Sequence, residues 1–195
     1  MTSKLKGYTE IDPWDFKPEV FKAIGKDYFE IVVGDASTKT ANAMTAAWGG
    51  LGVMWNFPVA FTVVRGKTYR HSRQMLEDQP LFSMCFLGNN QQEAKTYLGR
   101  VHGWDDPHKI ESAGLQTGWC GTELEHNAQV GVGTHCHTPF IEGSEVVLIC
   151  EKLATQELST AGFVDPSIIE KHYTKEDEHC LFISRIRAVF VKDHE

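Results

Sequence analysis

Apolar residues along this chain gather in short runs broken by glycine, proline and polar turns. Tyr28 to Val33 is a β-rich run halted by Gly34-Asp35, a turn signal. Val59 to Val64 is almost unbroken in its apolarity, as expected of a strand buried on both faces. Leu81 to Leu87 and Glu145 to Leu153 predict two further strands, the second most apolar at Val146 to Ile149. Gln129 to Thr134 reads as another. Leu181 to Val191, apolar but carrying Arg185 and Arg187, reads as a partly exposed closing strand.

Helical signals are fewer. Ser72 to Asp78 predicts a helical turn ending before Pro80. Asp106-Pro107 has the form of an N-cap followed by proline at the first helical position, with Gly114 as the stop. Asp165-Pro166 repeats that start and predicts a short helix toward His172. Residues 4–25, interrupted by Pro13 and Pro18, predict an irregular lead-in that Trp14, Phe16 and Phe21 would pack onto the body or onto a partner subunit. Strands outnumber helices and do not alternate with them. A mainly β fold follows, an antiparallel barrel closed or nearly closed, with peripheral helices, in one domain spanning 1–195.

Between the first two strands lies a different texture. Thr40 to Trp48 is built from small and hydroxyl residues, which let a ligand or a second backbone approach closely. Gly49, Gly50 and Gly52 then predict a loop. Beyond the next strand, Arg65, Lys67, Arg70 and Arg73 fall close together with His71 and no acid among them, in a chain whose formal net charge is -7. Thr68 and Ser72 add hydroxyls, so the turn offers the cations and donors that a phosphate monoester requires. A solvated turn paired with carboxylates elsewhere has the same composition.

Other chemistries find less support. Gly66-Lys67-Thr68 is not a nucleotide P-loop, because Phe61 stands where that motif requires its first glycine. Gly49-Gly50-Leu51-Gly52 fails the dinucleotide spacing. On an extended strand His135 and His137 would share a face while Cys136 points away, so no metal centre is expected there. There is no G-x-S-x-G elbow, no H-E-x-x-H and no C-x-x-C among the five cysteines. Cys85 and Cys150 read as small buried hydrophobes, and reduced thiols fit a reducing compartment. The acidic balance argues against nucleic acid, and no apolar run approaches membrane-spanning length. A cytoplasmic protein is expected, whose chemistry is carried by a cofactor and not by a catalytic side chain.

The residues that name a candidate cofactor are Asn42-Ala43-Met44-Thr45-Ala46-Ala47-Trp48-Gly49-Gly50-Leu51-Gly52, then Trp55-Asn56 and Pro58-Val59-Ala60. This stretch resembles the signature of the flavin reductase-like family, in its flavoredoxin-type branch. The resemblance resumes at Leu81 to Leu87, at His108-Lys109-Ile110 with Ala113-Gly114-Leu115, at Val147 to Leu153, and at His172-Tyr173, His179 and Leu181-Phe182-Ile183. It covers most of the chain after about residue 28. Four positions depart from the family pattern. Ala47 replaces a serine, Thr68 and Arg70 exchange the usual arginine and threonine, and Trp104 replaces an arginine.

That resemblance implies an antiparallel, Greek-key split β-barrel binding FMN, usually a homodimer with flavin near the subunit interface. It implies that Asn42, Ala43, Met44, Thr45, Ala46 and Ala47 line the ring and ribityl chain, largely through backbone groups. Arg65, Lys67, Thr68 and Arg70 would hold the phosphate. The activity implied is hydride transfer from NAD(P)H to the flavin, followed by onward electron transfer. An FMN electron carrier reduced by a partner protein and a non-catalytic flavin-binding protein are the alternatives. Trp48 and Trp55 would lie near the site or in the barrel core.

Overall fold

The computed structural model describes residues 4–66, 71–127, 131–173 and 178–193, apart from the side chains of 125–127 and 131–135. Strand β1 (Tyr8–Ile11) leads through a 3-10 turn (Pro13–Asp15) and helix α1 (Val20–Gly25) into β2 (Phe29–Asp35). Then come β3 (Thr40–Ala46), β4 (Gly49–Met54), β5 (Phe57–Val64), α2 (His71–Asp78), β6 (Leu81–Phe86) and α3 (Gln92–Arg100). The chain continues through α4 (Lys109–Ser112), β7 (Thr117–Asn127), β8 (Gly131–Ile141), β9 (Val146–Glu157), α5 (Pro166–His172) and β10 (Cys180–Lys192).

Among the described residues the main sheet is eight-stranded and antiparallel, in the order β3-β2-β6-β9-β10-β5-β4, with β1 added to β10. β7 and β8 form a separate hairpin. Register shifts near Ile183/Ser184 and Ile186/Ala188 interrupt the long β9–β10 pairing. Irregularities of this kind bend a strand and increase its twist, which lets the sheet curl around a core.

β2, β6 and the first half of β9 are buried on both faces, which is why they read as continuous apolar runs, while β5 alternates buried and half-buried positions. Phe29, Ile31 and Val33 of β2 face the barrel interior with Met44, Phe82, Leu148 and Phe182, where Leu76 of α2 joins them. The intervening Val32 faces the other way, with Ala43, Cys85 and Ile149, and is covered by Ala94 and Leu98 of α3 and Phe140 and Ile141 of β8. One strand thus contributes to two cores, and α3 is the lid of the second.

Several expectations need correction. The lead-in is not irregular: Tyr8–Ile11 pairs with β10 in the register Tyr8↔Lys192 to Ile11↔Val189, and a helix follows. Phe16 packs on the interior core, whereas Trp14 and Phe21 are exposed. The glycine stretch expected as a loop is strand β4, paired with β5 from Gly49↔Thr62 to Met54↔Phe57. Gly49 fits there because a Cβ would lie 2.2 Å from the Phe61 carbonyl oxygen. Asp106 does not cap α4 directly. Its Oδ1 accepts from the His108 N–H at 3.0 Å, and the helix starts three residues after it, at Lys109. Asp165 does cap α5, accepting from the Ser167 N–H at 2.9 Å with Pro166 at the first helical position.

Candidate functional site

The small-residue stretch forms β3 and the turn that leaves it. Alternation along a strand sends neighbouring side chains to opposite faces. Met44 and Ala46 therefore enter the interior core, while Ala43 joins the core beneath α3 and Thr45 faces α3 itself. Asn42 is buried, its Nδ2 donating to Ser72 Oγ at 2.5 Å, and its Oδ1 has no partner. Gly103 closes over it, where a Cβ would meet Asn42 Oδ1 and His71 Nδ1 at 2.5 Å each. His71 stacks on Trp104 with 5.4 Å between ring centroids, and burial, then the nearby Lys109, hold its pKa below the ordinary value.

Where β3 ends, it parts from α3 to leave a cleft of about 230 Å³. Thr45, Ala46 and Ala47 form one wall, and Lys95, Thr96, Gly99 and Arg100 of α3 form the other. Thr45 ties the walls together, its hydroxyl donating to the Lys95 carbonyl at 2.6 Å. Glycine at position 99 keeps the gap open: a Cβ there would sit in ordinary contact with Thr45 Cβ at 3.4 Å, and a larger side chain would project into the cleft. Lys95 is buried and spans to the chain before β2, donating to the Asp27 carbonyl at 2.8 Å. Tyr28, at the mouth of the cleft, adopts φ +63, a left-handed conformation unfavourable for a bulky side chain. Strain of this kind concentrates at ligand sites.

The chain leaves the cleft at Ala47 and enters an aromatic cluster. The Trp48 ring lies 4.8 Å from His179 and 5.2 Å from His172, and Tyr173 lies 5.2 Å from His179. The Trp48 carbonyl accepts from the Val63 N–H at 3.2 Å, which brings Arg65 to the same end of the barrel. His179 is buried, and its pKa is lowered to about 4 by desolvation, then by Arg65 and His172, so its ring is neutral near pH 7. Trp48 is exposed and Trp55 sits at the exposed tip of the β4–β5 hairpin, so neither belongs to the barrel core.

Of the ten residues proposed from sequence, Thr45, Ala46 and Ala47 line the cleft, while Arg65 does not line it and acts electrostatically on His179, beside Trp48. The side chains of Asn42, Ala43 and Met44 point into packed surroundings, which leaves backbone groups for any ligand contact. Lys67, Thr68 and Arg70 lie outside the described residues. Arg73, the last cation of the basic turn, is a structural residue. It is buried, bonds Glu77 Oε1 at 2.9 Å, pairs with Glu157 and covers the Phe182 ring. Sequence reasoning did not find the α3 wall, with Lys95, Gly99 and Arg100. Among the described residues no group of His, Cys, Asp and Glu is arranged to hold a metal, and no helix is long and apolar enough to cross a membrane.

No family model matches the chain, and no curated protein matches it. Solved structures do. An FMN-binding domain of a flavin reductases-like enzyme from Shewanella baltica aligns over 95% of this chain and 77% of its own, at 15% identity and a TM-score of 0.58. The flavoredoxin of Methanosarcina acetivorans aligns over 86% and 69%, at 16% identity and 0.57. That of Desulfovibrio vulgaris aligns over 85% and 69%, at 15% identity and 0.55. The fold is therefore the split β-barrel of flavin reductase-like FMN-binding domains and flavoredoxins.

Proposed function

We propose that this protein is an FMN-binding oxidoreductase that draws hydride from NAD(P)H and passes electrons onward. The observation that supports this reading is the cleft between Thr45–Ala47 and α3, with small residues Ala46, Ala47 and Gly99 on facing walls and Arg100 at its side. A flat ring fits such a slot because Ala46, Ala47 and Gly99 leave its faces clear. Polar groups of Thr45, Gln92 and Thr96 stand at the rim to meet heteroatoms along its edge. Arg100 at the cleft and Arg65 beyond Trp48 supply positive charge for a phosphorylated tail, with Lys67, Thr68 and Arg70 the further candidates from sequence.

FMN, when bound, supplies two-electron acceptance and release. The chain's own contribution is position and exclusion. α3 and the Thr45–Ala47 turn would hold the ring between them. The exposed indole of Trp48, backed by the buried and neutral imidazole of His179, would offer a nicotinamide an aromatic face with no positive charge behind it. No acid or base is needed for hydride transfer itself.

A homodimer belongs to the same proposal. The β4–β5 hairpin exposes Val53, Met54 and Trp55, an apolar patch that supports burial against a second copy. The second functional reading is an FMN electron carrier reduced by a partner protein, and the likeness to two flavoredoxins favours it. One experiment separates these readings. Purified protein is expected to carry or take up FMN and to bleach in the visible when NADH or NADPH is added under anaerobic conditions. Bleaching only when a reductase protein is also present identifies the carrier. Material that stays colourless in excess FMN refutes both.

A further inference from the structure

Behind the cleft lies an acid that the flavin reading does not use. Glu30 of β2 is fully buried, and neither carboxyl oxygen has a well-formed hydrogen bond. It lies opposite Thr45 of β3 in the strand register on one side and opposite Cys85 of β6 on the other. Directly paired strand residues hold their Cβ atoms about 4.5–5.5 Å apart. Glu30 follows Phe29, which faces the barrel interior, so it shares with Val32 the face covered by α3. Thr45 and Lys95, joined from the two walls of the cleft by the Thr45 hydroxyl, lie next to it. The titratable groups facing Glu30 are Lys95 from α3 and Cys85 from β6, and β3 contributes only the neutral Thr45 hydroxyl.

We propose that Glu30 is a proton-exchanging positioning residue, acting on the cleft through Thr45 and Lys95, and that binding of an anionic flavin is accompanied by protonation of its carboxyl group. The proposal rests on the FMN reading above. Its physical basis is that two effects act in the same direction. A ring seated against Thr45 removes water from the wall in front of the carboxylate, and a phosphate dianion adds a like charge to the same field. Each disfavours the ionised form. One proton passes from solvent to the carboxylate, giving a neutral carboxylic acid, and no other bond changes. The isolated protein is poised for this, because burial raises the Glu30 pKa to about 8 even with Lys95, the Leu87 backbone and the Thr45 hydroxyl opposing the rise. Lys95 opposes the rise without cancelling it, its ammonium group lying against the Asp27 carbonyl at 2.8 Å.

The test is calorimetric titration of FMN into the apoprotein at pH 8, in two buffers of different ionisation enthalpy. Wild type is expected to take up about half a proton per FMN bound, because a group with a pKa near the working pH is half ionised beforehand. Its affinity is expected to fall by up to about tenfold per pH unit above that point. Glu30→Gln, neutral at every pH, is expected to show neither effect. A second measurement needs no variant. The titration of the Glu30 carboxyl, followed by carbon-13 NMR in wild type, is expected to move up by about one pH unit or more when FMN is added. FMN binding with no proton uptake, or with an unmoved Glu30 titration, overturns the proposal and leaves the FMN reading standing. Absence of FMN binding at any pH overturns both.

Discussion

Glu30 also sets a limit on stability that belongs to a single residue. An unfolded glutamate titrates near 4.5, and burial raises the folded value to about 8. Folding therefore takes up a proton between those values, and the sign follows from linkage. Stability is greatest below the unfolded pKa and falls as pH rises toward the folded one. A tenfold change in proton affinity is equivalent to about 1.4 kcal/mol, so the penalty at pH 7 is roughly 3 kcal/mol. Glu30→Gln is expected to match wild type near pH 4.5 and to exceed it increasingly up to pH 8, as read by denaturant melts across that range. A constant difference at all pH values would show that the carboxyl does not titrate across this window. None of this is legible in the sequence. Glu30 interrupts the apolar run Phe29 to Val33, and on periodicity alone it reads as a polar position on a half-exposed strand. Only the placement of α3 reveals that its face is covered.

At the scale of elements, the strands whose two faces are both buried were legible because each face demanded apolar residues independently. β2, β6 and the first half of β9 declare themselves in this way. β5, expected to be buried on both faces, and β10, expected to be partly exposed, both alternate buried with half-buried positions. The cleft wall α3 does not declare itself. It packs through Ala94, Lys95 and Leu98, so one of its three buried positions is a lysine and another is alanine, and the apolar stripe is too thin to read. β7 hides for the same reason, since it carries Thr122, Glu123 and Glu125 among its apolar positions. β4 is hidden by its glycines, whose absent side chains let Phe61 of β5 lie close to Gly50 and Gly52. The β4–β5 hairpin invites a test of its own. Trp55 and Asn56 form its two-residue turn, with φ +51 and +60. A turn with both central residues left-handed favours Asn and Gly, and a tryptophan there is costly by about 1–2 kcal/mol. Trp55→Asn is expected to raise the melting temperature of the monomeric chain by roughly 2–4 °C. Calorimetry that shows a lower melting temperature would mean that the indole's contacts outweigh the strain of its backbone.

For the whole molecule, the arrangement matters more than any one contact. The barrel brings Ala47, Trp48 and Arg65 to one end, although sixteen or more residues of strand separate the arginine from the others. The sequence resemblance indicated this end as the site but could not show which basic residues were committed elsewhere. Arg73 is committed, to Glu77 and Glu157. Arg65→Ala together with Arg70→Ala is expected to weaken FMN by tenfold or more while leaving riboflavin within about threefold, since charged hydrogen bonds contribute roughly 1.5–3 kcal/mol each. Equal losses for the two ligands, measured by fluorescence quenching, would remove the phosphate from this end of the barrel.

β3 is the last strand of its sheet, paired on one side only among the described residues. A terminal strand ordinarily invites another polypeptide to pair with it and must be shielded from doing so. Here the strand's end at Thr45–Ala47 borders the cleft, where a planar heterocycle could pair with backbone groups that β2 leaves free. Those amide hydrogens among Thr45, Ala46 and Ala47 that do not point toward β2 would then exchange more slowly with deuterated water once FMN is added, while unchanged exchange would leave the heterocycle no share in completing the sheet.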